Sequence, residues 1–457
     1  MAYSNQNPNS IPAPMLDRQI TKCQDVDDQK SLLVNTGLEP TIALLVAGDR
    51  FEDFFDTIGI SFETFCNELT GLWMFNYTDA LRLAGVQTVF FFFSARVSKT
   101  LRLTHAATGA KVCILPVPII HRVARKLSRY ALFSKLQTTA AYLATPLGLF
   151  ARELRREGCT AILCQEYEDT RFDVCVLLGK LMGLPVFATF QGGGDHRSRL
   201  EATLRPLTLR ACAGLIIASQ TERERLCACN EVPATKLARI FNPMDAKNWY
   251  GIDRNEARTV LGIPHNARVV VNHGRIQINL KGLDVLLEAW EQICCERPGM
   301  DLRLLLVGTG SDADDLRRRI TTMQLRGVMW VNEFVRDRTA IRRYLSAADV
   351  YTLPSRYEGF PVAPIEAMAC GLPVVAAEAP GVRDILEEGE ASGGIVIPCG
   401  DAKALGLALG RLLDDEAWGR ELGKRARQRA EECFSLEAIG KQLRDFLLSQ
   451  KVPSSKS

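Results

Sequence analysis

Glu358 and Glu366 are separated by seven residues in the run Ser355-Arg-Tyr-Glu-Gly-Phe-Pro-Val-Ala-Pro-Ile-Glu-Ala-Met-Ala-Cys-Gly371. An ionised carboxylate only accepts hydrogen bonds, through two oxygens, so such a pair suits a ligand rich in hydroxyls. Upstream stand two cations, Arg275 in His273-Gly-Arg275 and Lys281 in Lys281-Gly282. Arginine offers a planar fork and lysine a point charge, and together they suit a phosphate. Each pair alone has an ordinary reading, with Glu366 as a helix-start charge and the others as solvated loop residues. All four together suit one ligand carrying both a diphosphate and a sugar.

Positioning them requires a strand, a loop and a helix. Residues 348–353 read as a short buried strand stopped by Pro354 and Ser355. Residues 363–370 read as a helix with Pro361 and Pro364 in its first turn and Gly371 closing it. Free N–H groups and the dipole at such a helix start attract a diphosphate without a metal. Glu366, one turn in, is placed for both hydroxyls of a ribose, and Glu358, before the helix, for hydroxyls of a transferred sugar. Gly359 is expected to let the ligand approach closely. Residues 267–272 form the strand before Gly274 and Arg275, and 283–290 an amphipathic helix after Lys281.

From Gly274 to Pro398 the chain resembles the retaining glycosyltransferases of family 4, which have the GT-B fold. The shared features are Gly-Arg followed by Lys281-Gly282, Leu305-Leu-Val-Gly-Thr-Gly310, Ala348-Asp349, the two-glutamate motif, and Pro380-Gly381 before Asp384-Ile-Leu386. The resemblance implies an α/β chain of two doubly wound Rossmann-like domains facing across a cleft. It implies a nucleotide-diphosphate sugar, UDP-linked by preference, bound beside Gly274 with Arg275 and Lys281 on the phosphates, Glu366 on the ribose and Glu358 near the sugar. Backbone groups at Gly359, Phe360, Pro361 and Val362 would meet sugar and phosphate oxygens, and the segment 331–335, with Val331 and Phe334, the base edge. No metal or other cofactor is expected. By the same likeness the acceptor attacks from the leaving-group side and the departing phosphate takes its proton. A covalent intermediate on Glu358 is the alternative.

Length and composition agree. A chain of 457 residues with 47% hydrophobic residues fills two or three domains. A formal charge of +3 gives no reason to expect nucleic acid as a partner. The opening residues lack the basic and apolar blocks of a secretory signal, and no apolar run approaches the roughly 20 residues that span a bilayer. A cytoplasmic protein is expected. Fourteen scattered cysteines without paired zinc spacing read as small buried thiols.

Residues 1–37, rich in Asn, Pro, Gln and Asp, read as a disordered tail. Residues 38–240 read as an N-terminal Rossmann-like acceptor domain with strands at 41–46, 88–93, 111–115, 161–164, 186–189 and 214–218. Residues 241–430 read as the nucleotide-sugar domain, and 431–457 as a helix returning to the first domain plus a polar tail. A phenylalanine-rich insertion, 48–70, either lids the cleft or packs in the core. Gly71 is the candidate donor-loop glycine, with Gly48 its rival.

Where the family carries a histidine after a later strand, this chain has Gln191, whose amide still hydrogen-bonds a sugar hydroxyl but cannot titrate. Glu166, His196 and Arg171 are acceptor-side candidates. Between 96 and 157 there are twelve lysines and arginines against two glutamates, and Ile119, Ile120, Val123, Leu127 and Tyr130 share a helical face. That pattern suits an anionic membrane surface through 119–135, or an ordinary helix packed on its own sheet. The acceptor is a glycan or a lipid-linked or small molecule. Other readings are a catalytically weak partner subunit, a phosphorylase or an epimerase.

Overall fold

The computed structural model describes residues 39–46, 48–56, 59–69, 73–106, 108–128, 136–192, 198–229 and 232–449. The tail 1–37 lies outside them. One sheet holds β1 (Thr41–Leu45), β2 (Gln87–Ser94), β3 (Leu101–Thr104), β4 (Lys111–Pro116), β5 (Cys159–Cys164), β6 (Val186–Thr189), β7 (Gly214–Ile216) and β8 (Leu237–Ala238), in the order β3-β4-β2-β1-β5-β6-β7-β8. Every neighbouring pair is parallel except β3 with β4. A second, all-parallel sheet holds β9 (Arg268–His273), β10 (Leu302–Val307), β11 (Val328–Val331), β12 (Val350–Leu353), β13 (Val374–Ala377) and β14 (Gly394–Ile397), in the order β11-β10-β9-β12-β13-β14. Two doubly wound α/β halves result, as the resemblance implies.

Parallel strands with helices on both faces are buried on both, so they read as unbroken apolar runs. Phe90 and Phe92 of β2 pack with Ile42 and Leu44 of β1, while Phe91 and Phe93 point the other way onto Phe150. The expected strands are present with ends shifted by a few residues, and the helix expected at 283–290 continues to Glu296 as Leu283–Glu296. β3 and β8 were not anticipated: β3 is a half-buried antiparallel edge and β8 has only two residues.

The 48–70 insertion forms two short helices, Phe51–Phe55 and Phe62–Asn67, the second capped by the Ser61 side chain. Phe51, Phe55 and Phe65 are buried edge-on against Phe92, with centroids 5.6, 6.0 and 5.2 Å from it. Core packing is thus the insertion's main role, with Phe54 left to reach the cleft.

The chain crosses between the halves twice. Phe241 stacks on Phe360 at 5.3 Å, and the Met244 N–H donates to the Phe434 carbonyl at 2.7 Å, so the two crossings lie side by side. Beyond the second, the helix Leu436–Ser449 buries Leu436, Ile439, Leu443 and Leu447 in the first half's core. Gly440 permits this, because a Cβ there would lie 2.1 Å from the Ala80 carbonyl oxygen. Of the described cysteines, seven are buried thiols, but Cys227, Cys229, Cys295 and Cys399 are exposed, which corrects the expectation that cysteines fill the core.

Candidate functional site

In the second sheet the chain runs from β9 outward to β11 and then returns to β12 beside β9. The crevice beyond the carboxyl ends of such a pair is where open α/β sheets bind ligands. The segments leaving β9 and β12 carry the four candidate side chains. Gly282, at φ 62°, ends the turn Ile278–Lys281, and a Cβ there would lie 2.0 Å from the Pro354 carbonyl oxygen. That backbone approach, open only to glycine, brings Lys281 beside the loop after β12. Lys281 Nζ donates to Glu358 Oε1 at 2.7 Å, both groups being mostly buried.

Glu366 lies in the first turn of the helix Ala363–Ala369. Its Oε2 is 2.8 Å from His273 Nε2. A carboxylate only accepts, so Nε2 donates and Nδ1 is left buried, with no partner among the described residues. His273, not anticipated as a site residue, thus holds one of the two oxygens expected to be open for ribose. Its signal in sequence was only its place before Gly274 and Arg275.

Two cavities meet here. One, of about 140 Å³, is lined by Arg275, Lys281, Glu358, Pro361, Val362 and Ala363. The other, of about 900 Å³, is bounded by Arg275, the loop 308–311, Glu333, Phe334 and Val335, with Phe54 from the first half. His273, Gly274 and Arg275 line both. The loop 308–311 sits close because Gly308 and Gly310 press on the backbone of Gly274 and Ile276, where a Cβ would come within 1.9 and 2.2 Å. Val331 ends β11 and packs on the core, so it is the residues after it that face the cavity.

Several of the expected site residues have structural partners as well. Gly359 serves the fold as well: a Cβ there would lie 2.4 Å from the Gln191 carbonyl oxygen and 2.5 Å from Gly192 Cα, so the two halves approach backbone to backbone at this point. The Phe360 ring is buried against Phe241 rather than facing the cavities. The Gln191 amide is turned to the crossing segment. Its Nε2 donates to Thr189 Oγ1 at 3.0 Å and Asn242 Oδ1 at 3.3 Å, and its Oε1 accepts from Asn242 Nδ2 at 3.1 Å. The Tyr77 hydroxyl also donates to Asn242 Oδ1, at 2.8 Å. Both ends of the amide are thus engaged, and only the second lone pair of Oε1 stays open to a sugar hydroxyl.

Arg171 is likewise withdrawn. Its buried guanidinium donates to the carbonyls of Val46, Gly48 and Asp49 and lies 4.4 Å from the Phe93 ring centroid, bracing the loop after β1. The same loop is held by Gly48 N–H donating to Asp169 Oδ2 at 2.6 Å. Burial, then Asp169, pushes the Asp49 carboxyl up to about 6. Glu166, after β5, accepts the backbone N–H groups of Glu168 and Gln191 at 3.1 and 3.0 Å, while burial pushes it up to about 8. Gly71 and His196 lie outside the described residues. Among the described residues no group of three or more His, Cys, Asp or Glu is arranged to hold a metal ion.

Residues 267–415 match the family model "Glycosyl transferases group 1". The D-inositol 3-phosphate glycosyltransferase of Kineococcus radiotolerans is 34% identical over 191 residues, which is 39% of this chain and 43% of the relative. The GDP-mannose-dependent monoacylated alpha-(1-6)-phosphatidylinositol monomannoside mannosyltransferase of Corynebacterium glutamicum is 29% identical over 205 residues, 43% of this chain and 51% of the relative. The match thus spans about half the length of these relatives. Among solved structures, sucrose-phosphate synthase from Thermosynechococcus elongatus superposes with a TM-score of 0.64 at 22% identity, over 89% of this chain and 98% of the other. Anabaena HepE in complex with UDP-glucose does so with a TM-score of 0.65 at 17% identity, over 90% and 100%. The chain therefore has the GT-B fold, and its segment 267–415 matches the glycosyl transferases group 1 family.

Proposed function

We propose that this chain transfers a hexosyl group, with retention, from a nucleotide-diphosphate sugar to a glycan, lipid-linked or small-molecule acceptor in cell-envelope polysaccharide or glycolipid synthesis. The observation that carries this reading is the convergence of Arg275, Lys281, Glu358 and His273, the last bonded to Glu366, on two joined cavities at the switch point of the second sheet. The smaller cavity suits the diphosphate and the larger one the nucleoside. A UDP-linked donor is favoured by the neighbour bound to UDP-glucose, although one relative is named for GDP-mannose.

Arg275 and Lys281 balance the charge that develops on the leaving diphosphate, and Glu358 fixes the sugar through its hydroxyls. With Lys281 already bonded to Glu358, one ion pair orders the phosphate and sugar ends together. The departing phosphate takes the acceptor's proton, so this scheme asks for no strong protein base and no divalent ion. The paired Gln191 amide fits that division of labour. It also favours a second reading, a weakly active partner subunit, since the position holds an amide that cannot titrate and is engaged with Asn242.

The acceptor side points to a membrane surface. On the helix Ile119–Leu127 the side chains of Ile119, Ile120, Val123 and Leu127 are exposed, at 78, 59, 53 and 39%. Arg122, Arg125 and Lys126 stand on the same helix, which has no acidic residue. Arg125 is anchored two-pronged on Asp53, at 2.8 and 2.7 Å, next to Phe54 of the larger cavity. An apolar face with basic flanks suits anionic lipid, and a cytoplasmic protein would meet it at the inner leaflet. Among the described residues no helix is long and apolar enough to cross a membrane.

Calorimetric titration with UDP-glucose, UDP-galactose, UDP-N-acetylglucosamine and GDP-mannose tests the donor reading. One should bind and be slowly hydrolysed, and Lys281→Ala should weaken binding and cut hydrolysis by about 100-fold or more; no binding by any of the four, or binding without turnover, sinks the transferase reading in favour of the partner subunit. Co-sedimentation with anionic vesicles at low salt, lost in Val123→Glu, tests the membrane contact. A protein that stays in the supernatant disproves it.

A further inference from the structure

A second concave site lies at the opposite end of the second sheet. It is a cavity of about 460 Å³ between the amino ends of β9, β12 and β13 and the helix Glu416–Cys433. Arg268 begins β9 and His273 ends it, so this cavity is roughly 16 Å of strand away from the cleft. Five cations line it, Arg254, Arg268, Arg420, Lys424 and Arg427, against the three carboxylates of Asp349, Glu416 and Glu431. Leu372, Pro373 and Leu412 add apolar wall.

The carboxylates are oversubscribed. Glu416 alone meets Arg254 at 3.2 Å, Arg268 at 3.0 Å and Arg420 at 2.8 Å. Asp349 is shared by Arg254 at 2.8 Å and by Arg258 at 2.9 Å. Arg427 bonds Glu431 at 2.6 Å and also donates to the carbonyls of Trp249 and Ala369, which fixes it in place. Lys424 has a carboxylate only at 3.9 Å, on Glu421, and its side chain stays 79% exposed. Like charges held together cost free energy unless an anion or water answers them, and a concave wall focuses their field.

We propose that this cavity is a binding site for a small phosphomonoester, its dianion matching the formal surplus of two positive charges and its organic part lying on the leucine and proline wall. Arg420 and Lys424, the exposed members on one face of the helix, close over the phosphate, while Arg254 and Arg268 are held ready by Glu416. The site is separate from the donor cleft and does not depend on the function proposed for it.

The test is thermal unfolding of the full chain at low ionic strength with inorganic phosphate or glycerol 3-phosphate, against potassium chloride at matched ionic strength. Phosphate should raise the midpoint beyond chloride. Arg420→Glu and Lys424→Glu should each weaken the apparent affinity about ten-fold or more. Lys281→Ala, which disables the cleft, should leave it unchanged. Equal stabilisation by chloride, indifference to both charge reversals, or loss in Lys281→Ala would overturn the assignment. Should a charge reversal fold poorly, acetylation of wild-type Lys424 gives a second readout: phosphate should slow it, and an unchanged rate refutes the site.

Discussion

His273 Nε2 donates to Glu366 Oε2 across 2.8 Å, joining the end of β9 to the first turn of the helix after β12. The contact fixes the carboxylate's direction and leaves Oε1 for a donor hydroxyl. His273→Ala should therefore raise the donor KM about ten-fold with a smaller effect on kcat, the scale of one hydrogen bond to a charged group. Discrimination between ribose and 2′-deoxyribose donors should shrink with it. If Glu366→Gln abolishes that discrimination while His273→Ala leaves it intact, the imidazole has no positioning role.

Lys281 lines the smaller cavity beside Arg275 and is paired with Glu358. Lys281→Ala should lower kcat by about 100-fold or more through lost stabilisation of the leaving diphosphate. Lys281→Arg should restore little, because a planar fork does not replace a point charge at 2.7 Å from Glu358. Single-turnover kinetics with saturating donor separates the loss of chemistry from a loss of binding.

Gly359→Ala places a methyl group into the Gln191 carbonyl and Gly192. The halves must part to accept it, at about 2 kcal/mol of overpacking. Activity should fall while far-ultraviolet circular dichroism is unchanged, and small-angle scattering should report a larger radius of gyration. An unchanged radius with full activity would show that the two backbones need not meet.

Asp49 is held at about 6 against an ordinary value of 3.8. Below 3.8 both native and unfolded chains carry the proton and there is no penalty. As pH rises toward 6 the unfolded chain ionises while the native one stays protonated, so stability falls, and above about 6 the cost levels off. Asp49→Asn should flatten that slope and gain on the order of 2 kcal/mol at neutral pH, read by urea unfolding between pH 4 and 8. Parallel slopes in the two proteins would disprove it.

What was legible in the sequence had a local pattern. The helix Thr170–Met182 carries such a pattern, with a capping Asp169 before it and a left-handed Gly183 after it. β1 reads as a strand because Ile42 to Leu45 are apolar and buried on both faces. Arg275, Lys281 and Glu358, singled out by type and spacing, line one cavity, and Glu366 is bonded to His273 at its edge. The remainder depends on contacts remote in sequence. Gln191 and Asn242 are 51 positions apart, and His273 and Glu366 93 apart, so neither pairing leaves a periodic trace. Gly359 shows the same limit differently: a missing Cβ serves a ligand and a neighbouring backbone equally well, and only the fold decides which comes near.

The paired crossings have a mechanical consequence. A single tether would allow the halves to swivel in any direction. Two chain segments bonded together at Met244 and Phe434, and clamped by the ring of Phe241, resist torsion and splay, leaving one compliant axis that runs through the junction. Opening and shutting of the crevice is then a nearly one-dimensional movement, so each closure returns the same side chains to the same register.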